Sequence, residues 1–457
     1  MNSKTRSERL VVIGGCAAGM SAASKAKRMN KNLQVIALEK TPHVSYSACG
    51  IPYYVADLVR DARDLIAVTP EEFRDQRGIE VLIRHEVVDI HPVKKTVTAI
   101  QLDSGKEIGL DYDKLVIAVG GVPKKPELPG MNAKNVFTLQ TLQDGLHIRK
   151  YIDEQRPKRT AIIGGGYIAM EMTEAFRQRF LEVSVIQKRD QILPDFEPEI
   201  AEKVAAELTR NEVKIFTASA ATALEASGGG LAKNVIFADG RQLSVDLVLV
   251  STGLAPNTKL AEMAGVRVGS TAAIVVDWKM QTNVSNIYAA GDCVEVKHLV
   301  SGKPDYIPLG PTANKQGRVA GENIGGGTAM FKGVVGTMVF KTFDLEVAKN
   351  GLNVAEAQRW GFDADKVTIT ENSKAGYYPG VKSITVTVIW DKRSRRLLGA
   401  QMVGQEGASK RIDVFAAALT SKMTIDGIAH LDLSYAPPFA PVWDPVLVAV
   451  NAARGKR

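Results

Sequence analysis

The chain has 457 residues, 45% hydrophobic and 24% charged, which is too long for one core and ordinary for a globular protein of two or three domains. Lys+Arg 58 against Asp+Glu 50 gives a net charge of +8, suited to anionic small molecules such as nucleotides; no basic run has the density of a nucleic-acid patch. Three cysteines exclude a disulfide framework, six scattered histidines offer no metal spacing, and there is neither a signal peptide nor an apolar run long enough to cross a bilayer, so a cytoplasmic protein with no metal and no membrane partner is expected.

Residues 9–40 read as a strand, a glycine turn, a helix and a second strand, the pattern of a dinucleotide-binding βαβ unit. In the turn, Gly14, Gly15, Ala18 and Gly19 are small enough for the backbone to approach a pyrophosphate, and the helix N-terminus behind them favours its charge. Cys16 takes the middle glycine place of G-x-G-x-x-G. Glu39, followed by Lys40, ends the second strand, where a carboxylate can bind both ribose hydroxyls. Only ten residues further on, Cys49 sits in SYSACGIPYYV without a CxxC or CxxxxC partner. That placement predicts a lone redox thiol beside the reactive ring of the cofactor, with the second sulfur coming from the substrate. Cys16 and Cys293 read as structural.

Strands follow at 80–83, 96–102 and 113–121, and Pro123, Pro126 and Pro129 mark an exposed crossing. Residues 159–188 repeat the βαβ pattern, with Gly164, Gly166 and Ala169 in the three glycine places. Here the second strand ends in Gln187-Lys188-Arg189 with no acid. Lys188 and Arg189 can pair with a 2′-phosphate that a carboxylate would repel, which predicts NADPH, or relaxed use of NADPH and NADH. Segments 246–257 and 282–293 end in further tight turns, and beyond about residue 330 strands at 383–390 and 397–403 mix with a helix near 409–421, an α+β pattern.

Two GxG repeats, STGLAPN (251–257), TNVSNIYAAGDC (282–293) and a distinct C-terminal region resemble the pyridine nucleotide-disulfide oxidoreductases. The resemblance implies an α/β fold with two Rossmann-like domains, for FAD and NAD(P), plus a C-terminal α+β dimerisation domain. The expected division is 1–153 with 277–330 for FAD, 154–276 for NAD(P), and 331–457 for dimerisation. It also implies that Asp292 binds the ribityl chain of FAD and that Ala313, in PTANKQGR, lies near its ring.

Ser45 followed by Cys49 is similar to the single-cysteine branch (class III), and the pieces GYYPG, VGQEGASKRIDV and YAPPFAPVWDP look most like coenzyme A disulfide reductase. By that resemblance Cys49 cycles through a Cys–S–S–CoA mixed disulfide in a homodimer whose active site is shared. Tyr377 and Tyr435 would reach the other subunit's cysteine, and Ser21, Lys25, Arg28, Ser45 and Arg77 would line the CoA groove. Ala48 departs from the asparagine, and Trp443 from the lysine, that some members carry there. The rhodanese domain often added to persulfide reductases finds no room in 457 residues. The alternatives are an NAD(P)H oxidase or peroxidase working through a Cys49 sulfenic acid, a persulfide or polysulfide reductase, and an electron-transfer flavoprotein that docks a protein partner.

Overall fold

The computed structural model describes residues 7–226 and 228–456. Arg9–Ile13 is the middle strand of a five-stranded parallel sheet in the order Ile287–Ala289, Lys114–Ile117, Arg9–Ile13, Gln34–Glu39, Ile79–Ile83. Its strands are short apolar runs because helices cover them, as a parallel sheet requires. The strand at 80–83 differs from its neighbour at 96–102, although both alternate in sequence. Ile79–Ile83 extends the parallel sheet, whereas Thr96–Gln101 is central to a three-stranded antiparallel sheet with His85–His91 and Lys106–Asp111.

A second five-stranded parallel sheet repeats the design around Arg159–Ile163, flanked by Glu182–Ile186 and Leu247–Val250. The two repeats match down to the turn. Gly14 has φ +109° and a Cβ there would lie 2.2 Å from Ala118 O; Gly164 has φ +117° and would lie 2.0 Å from Ser251 O. In each unit the first turn glycine therefore presses on the residue that follows the neighbouring strand, which only glycine permits.

The C-terminal unit is a five-stranded antiparallel sheet in the order Met338–Thr342, Leu345–Gly351, Leu397–Gly404, Ser383–Asp391, Ala364–Asn372. Every residue of Leu397–Gly404 is buried, because the helices Ala408–Thr420 and Pro445–Gly455 add apolar faces to that core. The three units also share apolar contacts. Ile51 and Val55 lie in one cluster with Met170 and Phe176 of the second repeat and with Phe340, Val347 and Val403 of the C-terminal sheet. The segment that carries Cys49 is thereby packed at the junction of all three units.

The helix Gly310–Ile324 crosses the first-repeat helix Ala17–Met29 at backbone distance. A Cβ on Gly317 would stand 2.1 Å from Ala18 O, and one on Gly321 would stand 2.3 Å from Ala22 O. This crossing brings Ala313 and Gln316 against the phosphate turn. Gly317→Ala is expected to cost about 1–3 kcal/mol through overpacking, read as a lower urea midpoint for unfolding of the first unit. An unchanged midpoint would contradict the close crossing.

Candidate active site

The helices that follow the two glycine turns start without a side-chain cap, at Cys16 and at Gly166. Thr69, Thr141, Asn353 and Asp444 cap other helices, while those starting at Pro198, Gly310 and Ala408 also lack a side-chain cap. The free N–H groups at the two turns are the donors a pyrophosphate takes. Glu39 braces the first turn: its Oε2 accepts the Gly15 N–H at 2.7 Å and its Oε1 the Thr41 N–H at 2.8 Å. Lys40 is exposed beside it. Ala18 and Ala313 are both 6% exposed and form a small apolar cluster with Ala290. Gln316 Oε1 accepts the Gly291 N–H at 2.8 Å, and its buried Nε2 has no partner among the described residues. Asp292, next in the chain, is pushed up to about 6 by burial, and its carbonyl accepts the Tyr306 hydroxyl at 2.9 Å. A glycine cradle, a bracing acid, uncapped N–H groups and an orphaned amide donor together fit a dinucleotide.

In the second repeat, Gln187 is buried where Glu39 stands in the first, and its Oε1 accepts the Arg189 N–H at 3.2 Å. Ala169 is fully buried in the third glycine place. Lys188 and Arg189 are exposed at the strand end. Arg241 lies over Phe216 and Phe237 nearby, its charge paired with Asp239 at 2.6 Å.

The reactive segment is tied to the first turn through its backbone. Ser45, at φ +47°, donates its N–H to Gly15 O at 2.8 Å and accepts the Ala67 N–H at 2.8 Å. Ser47 N–H donates to Leu65 O at 2.7 Å. Cys49 then falls in the 3-10 turn Ala48–Gly50 that leads into the helix Ile51–Val55. It is a free, exposed thiol. The protein around it still removes enough water to raise its pKa, and the negative charges of Glu171 and Asp292 push the same way. Cys16 is pushed up to about 11 and Cys293 to about 12, chiefly by burial, which leaves both as poor nucleophiles.

The remaining predicted residues fall in two groups. Ser21, Lys25 and Arg28 share one face of the helix Ala17–Met29, by their spacing of four and three. Ser21 Oγ donates to Asn314 Oδ1 at 2.7 Å, and Lys25 Nζ pairs with Glu322 at 2.9 Å. Arg77 donates to Ser24 Oγ at 3.3 Å and lies over the Phe73 ring. Lys25 is thus a neutralised cation, while Arg28 is exposed. Tyr377 and Tyr435 lie on the C-terminal unit, both exposed, and the neighbouring Tyr377 raises the pKa of Tyr435. Tyr378, Phe439, Val442 and Trp443 are exposed on the same unit.

Sequence patterning missed Tyr53, Tyr167 and Glu171. The Glu171 charge, on the helix Tyr167–Gln178, raises the pKa of Cys49, and the charge of Cys49 in turn adds to the raised pKa values of Tyr53 and Tyr167. A carboxylate interrupting the apolar stretch IAMEM was the available signal.

A family model described as pyridine nucleotide-disulphide oxidoreductase matches residues 8–317, and the dimerisation domain of that family matches residues 337–445. The chain belongs to the pyridine nucleotide-disulphide oxidoreductases. It is 40% identical over 448 residues to a protein of Pyrococcus furiosus named NAD(P)H sulfur oxidoreductase (CoA-dependent), covering 98% of this chain and 99% of that one. It is 29% identical over 447 residues to coenzyme A disulfide reductase of Staphylococcus haemolyticus, with 98% and 99% covered. The crystal structure of reduced Bacillus anthracis CoADR-RHD superposes with a TM-score of 0.95 at 34% identity, over 98% of this chain and 80% of that chain. The protein is an FAD-dependent NAD(P)H oxidoreductase with Rossmann-type domains and a C-terminal dimerisation domain. Among the described residues, no helix is long and apolar enough to cross a membrane.

Proposed function

We propose that this chain reduces coenzyme A disulfide with NAD(P)H, through Cys49 as its single redox thiol. The observation that carries the reading is the tether of the Cys49 segment to the phosphate turn through Ser45, with serine in the place of a second cysteine. FAD belongs to 1–153 with 277–330, held by Gly14, Gly15, Ala18, Gly19, Glu39, Lys40, Asp292 and Ala313. The nicotinamide cofactor belongs to 154–276, and dimerisation to 331–457. When bound, the nicotinamide and flavin supply one electron pair for cleavage of a sulfur–sulfur bond.

In the protein's own chemistry, the Cys49 thiolate attacks one sulfur of CoA disulfide. A Cys49–CoA sulfur–sulfur bond forms, the substrate bond breaks, and the first CoA leaves as a thiolate that takes up a proton. The electron pair then splits the mixed disulfide, freeing the second CoA and returning Cys49 as a thiolate. The balance is NADPH + H⁺ + CoA disulfide → NADP⁺ + 2 CoA. The neighbouring hydroxyls of Tyr377 and Tyr435, presented by the partner subunit of a homodimer, protonate the departing thiolate. Arg28 and Arg77 supply cations for the phosphates of CoA, with Ser21 and Ser45 as polar contacts and Lys25 held by Glu322.

A second reading, reduction of a CoA persulfide through the same thiol, is favoured by the 40% identity to a CoA-dependent sulfur oxidoreductase against 29% to a CoA disulfide reductase. Ala48 and Trp443, which depart from the asparagine and lysine that some members carry, weaken strict specificity for CoA disulfide.

Cys49→Ser is expected to lower turnover of CoA disulfide and CoA persulfide by roughly 10³-fold or more, as loss of a nucleophile does. NADPH-dependent reduction of ferricyanide by the same variant should stay near the wild-type rate, and full turnover of the disulfide would defeat the reading. In a separate steady-state comparison, Lys188→Ala with Arg189→Ala is expected to raise KM for NADPH by about tenfold or more, and for NADH far less. Equal changes for the two cofactors would remove the 2′-phosphate assignment.

A further inference from the structure

The bond from the Ser45 N–H to the Gly15 carbonyl has a counterpart in the second repeat. Leu193 donates its N–H to Gly165 O at 2.7 Å, from a φ of +49° against +47° at Ser45. The residue before each also lies on the turn: a Cβ on Gly165 would stand 3.4 Å from Ile192 Cα, and one on Gly15 would stand 2.7 Å from Val44 Cγ1. Ile192 and Leu193 are both buried. Each phosphate turn therefore has a loop seated on its second glycine.

The two loops differ in what holds them from behind. Ser45 is held by Ala67 of its own unit. The loop that carries Leu193 is held by the C-terminal sheet. Phe196 N–H donates to Leu193 O at 2.9 Å and closes the loop. Asp195 O then accepts Lys349 Nζ at 3.0 Å and Asn353 Nδ2 at 3.3 Å. The Phe196 ring meets Phe340 edge-on, with Lys349 Nζ 5.4 Å from its centre. Glu197, 7% exposed, has all its contacts with the C-terminal unit satisfied at once: its N–H donates to Gln401 Oε1 at 2.7 Å, its Oε1 accepts the Val354 N–H at 2.8 Å, and its Oε2 accepts Lys366 Nζ at 2.9 Å. Lys349 and Gln401 are opposite one another on neighbouring strands, so they present to the loop from one face of the sheet. Lys366 reaches in from the edge strand Ala364–Asn372 and also pairs with Glu199 at 2.7 Å.

We propose that Lys349, Lys366 and Gln401 are positioning residues of the nicotinamide site: from the C-terminal unit they hold residues 193–197 so that Leu193 seats the second phosphate turn. The inference rests on the reading that the second repeat holds the nicotinamide cofactor. Leu193 makes its bond from a left-handed conformation that a non-glycine residue keeps only where its surroundings impose it. The C-terminal sheet supplies that constraint. Removing the Lys366 charge leaves the buried Glu197 carboxylate without its cation, which favours movement of the loop toward water and away from Gly165. The turn serves the pyrophosphate, which NADP⁺ and NAD⁺ share. Loosening it therefore weakens both cofactors alike, unlike loss of Lys188 and Arg189, which touches the 2′-phosphate alone.

The test compares Lys366→Met, Lys349→Met and Lys366→Arg with wild type as full-length, FAD-loaded protein. Titration with NADP⁺ and with NAD⁺ should show Kd raised about fivefold or more by either Met variant, by the same factor for both cofactors. The maximal rate of NADPH-dependent ferricyanide reduction should stay within about twofold of wild type, because the loop does not touch the reacting atoms. Lys366→Arg keeps the cation and should restore both Kd values. Amide hydrogen exchange without nicotinamide cofactor gives a second readout: the Leu193 N–H should lose protection in the Met variants, while peptides of the Gly14–Gly19 turn exchange as in wild type. Unchanged Kd values in both Met variants, unchanged protection at Leu193, or a loss confined to NADP⁺ overturns the proposal. Failure of the underlying reading looks different: NADP⁺ would then leave exchange around Gly164–Gly166 of the wild-type protein unchanged, while Leu193 protection still reports whether the C-terminal sheet holds the loop.

Discussion

The hydrogen bond from the Ser45 N–H to the Gly15 carbonyl joins the two parts that the chemistry requires in register. On one side is a phosphate turn, shaped by Gly14 against Ala118 and braced by Glu39. On the other is the short loop that presents Cys49. Ser45 makes this bond from a left-handed backbone conformation, which a non-glycine residue adopts only under local constraint. The Ser45–Ala67 and Ser47–Leu65 bonds hold that conformation from the outer side. Apolar packing of Ile51 and Val55 against the second repeat and the C-terminal sheet then fixes the direction in which the chain leaves the thiol.

Much of this fold was legible because it is written twice. The spacing of Gly14 to Glu39 and of Gly164 to Gln187 states the same βαβ unit, and the runs that follow Lys114–Ile117 and Leu247–Val250 supply the matching contact residues, Ala118 and Ser251. Strand pairing was less legible. An alternating run such as Glu80–Ile83 carries no mark of whether its partner is parallel or antiparallel, and here the partner is Gln34–Glu39. In the site, residues with a distinctive local motif, Cys49 above all, could be picked out from spacing. Residues whose effect depends on distant neighbours could not. Lys25 reads as a free cation until the helix Gly310–Ile324 brings Glu322 against it. Glu171 stands out only once Pro52, Tyr53 and Lys341 gather beside it in one cleft.

The electrostatics around Cys49 are unfavourable to an anion. Burial, Glu171 and Asp292 all raise its pKa, yet a disulfide exchanger reacts as the thiolate. Burial raises both nearby carboxyls, Glu171 to about 7 and Asp292 to about 6, yet each still ionises at a lower pH than the thiol, so neither favours the thiolate. Tyr377 and Tyr435, by contrast, are exposed on the C-terminal unit.

The central claim is that Cys49 alone carries the redox sulfur and that its partner sulfur comes from coenzyme A. The mass of the intact, unreduced protein under denaturing conditions tests it most directly, for wild type and for Cys49→Ser. The account predicts one CoA-sized increment on wild type, released by reductant and absent from Cys49→Ser. An unmodified thiol, a single added oxygen on Cys49, or an increment that survives in Cys49→Ser would contradict it.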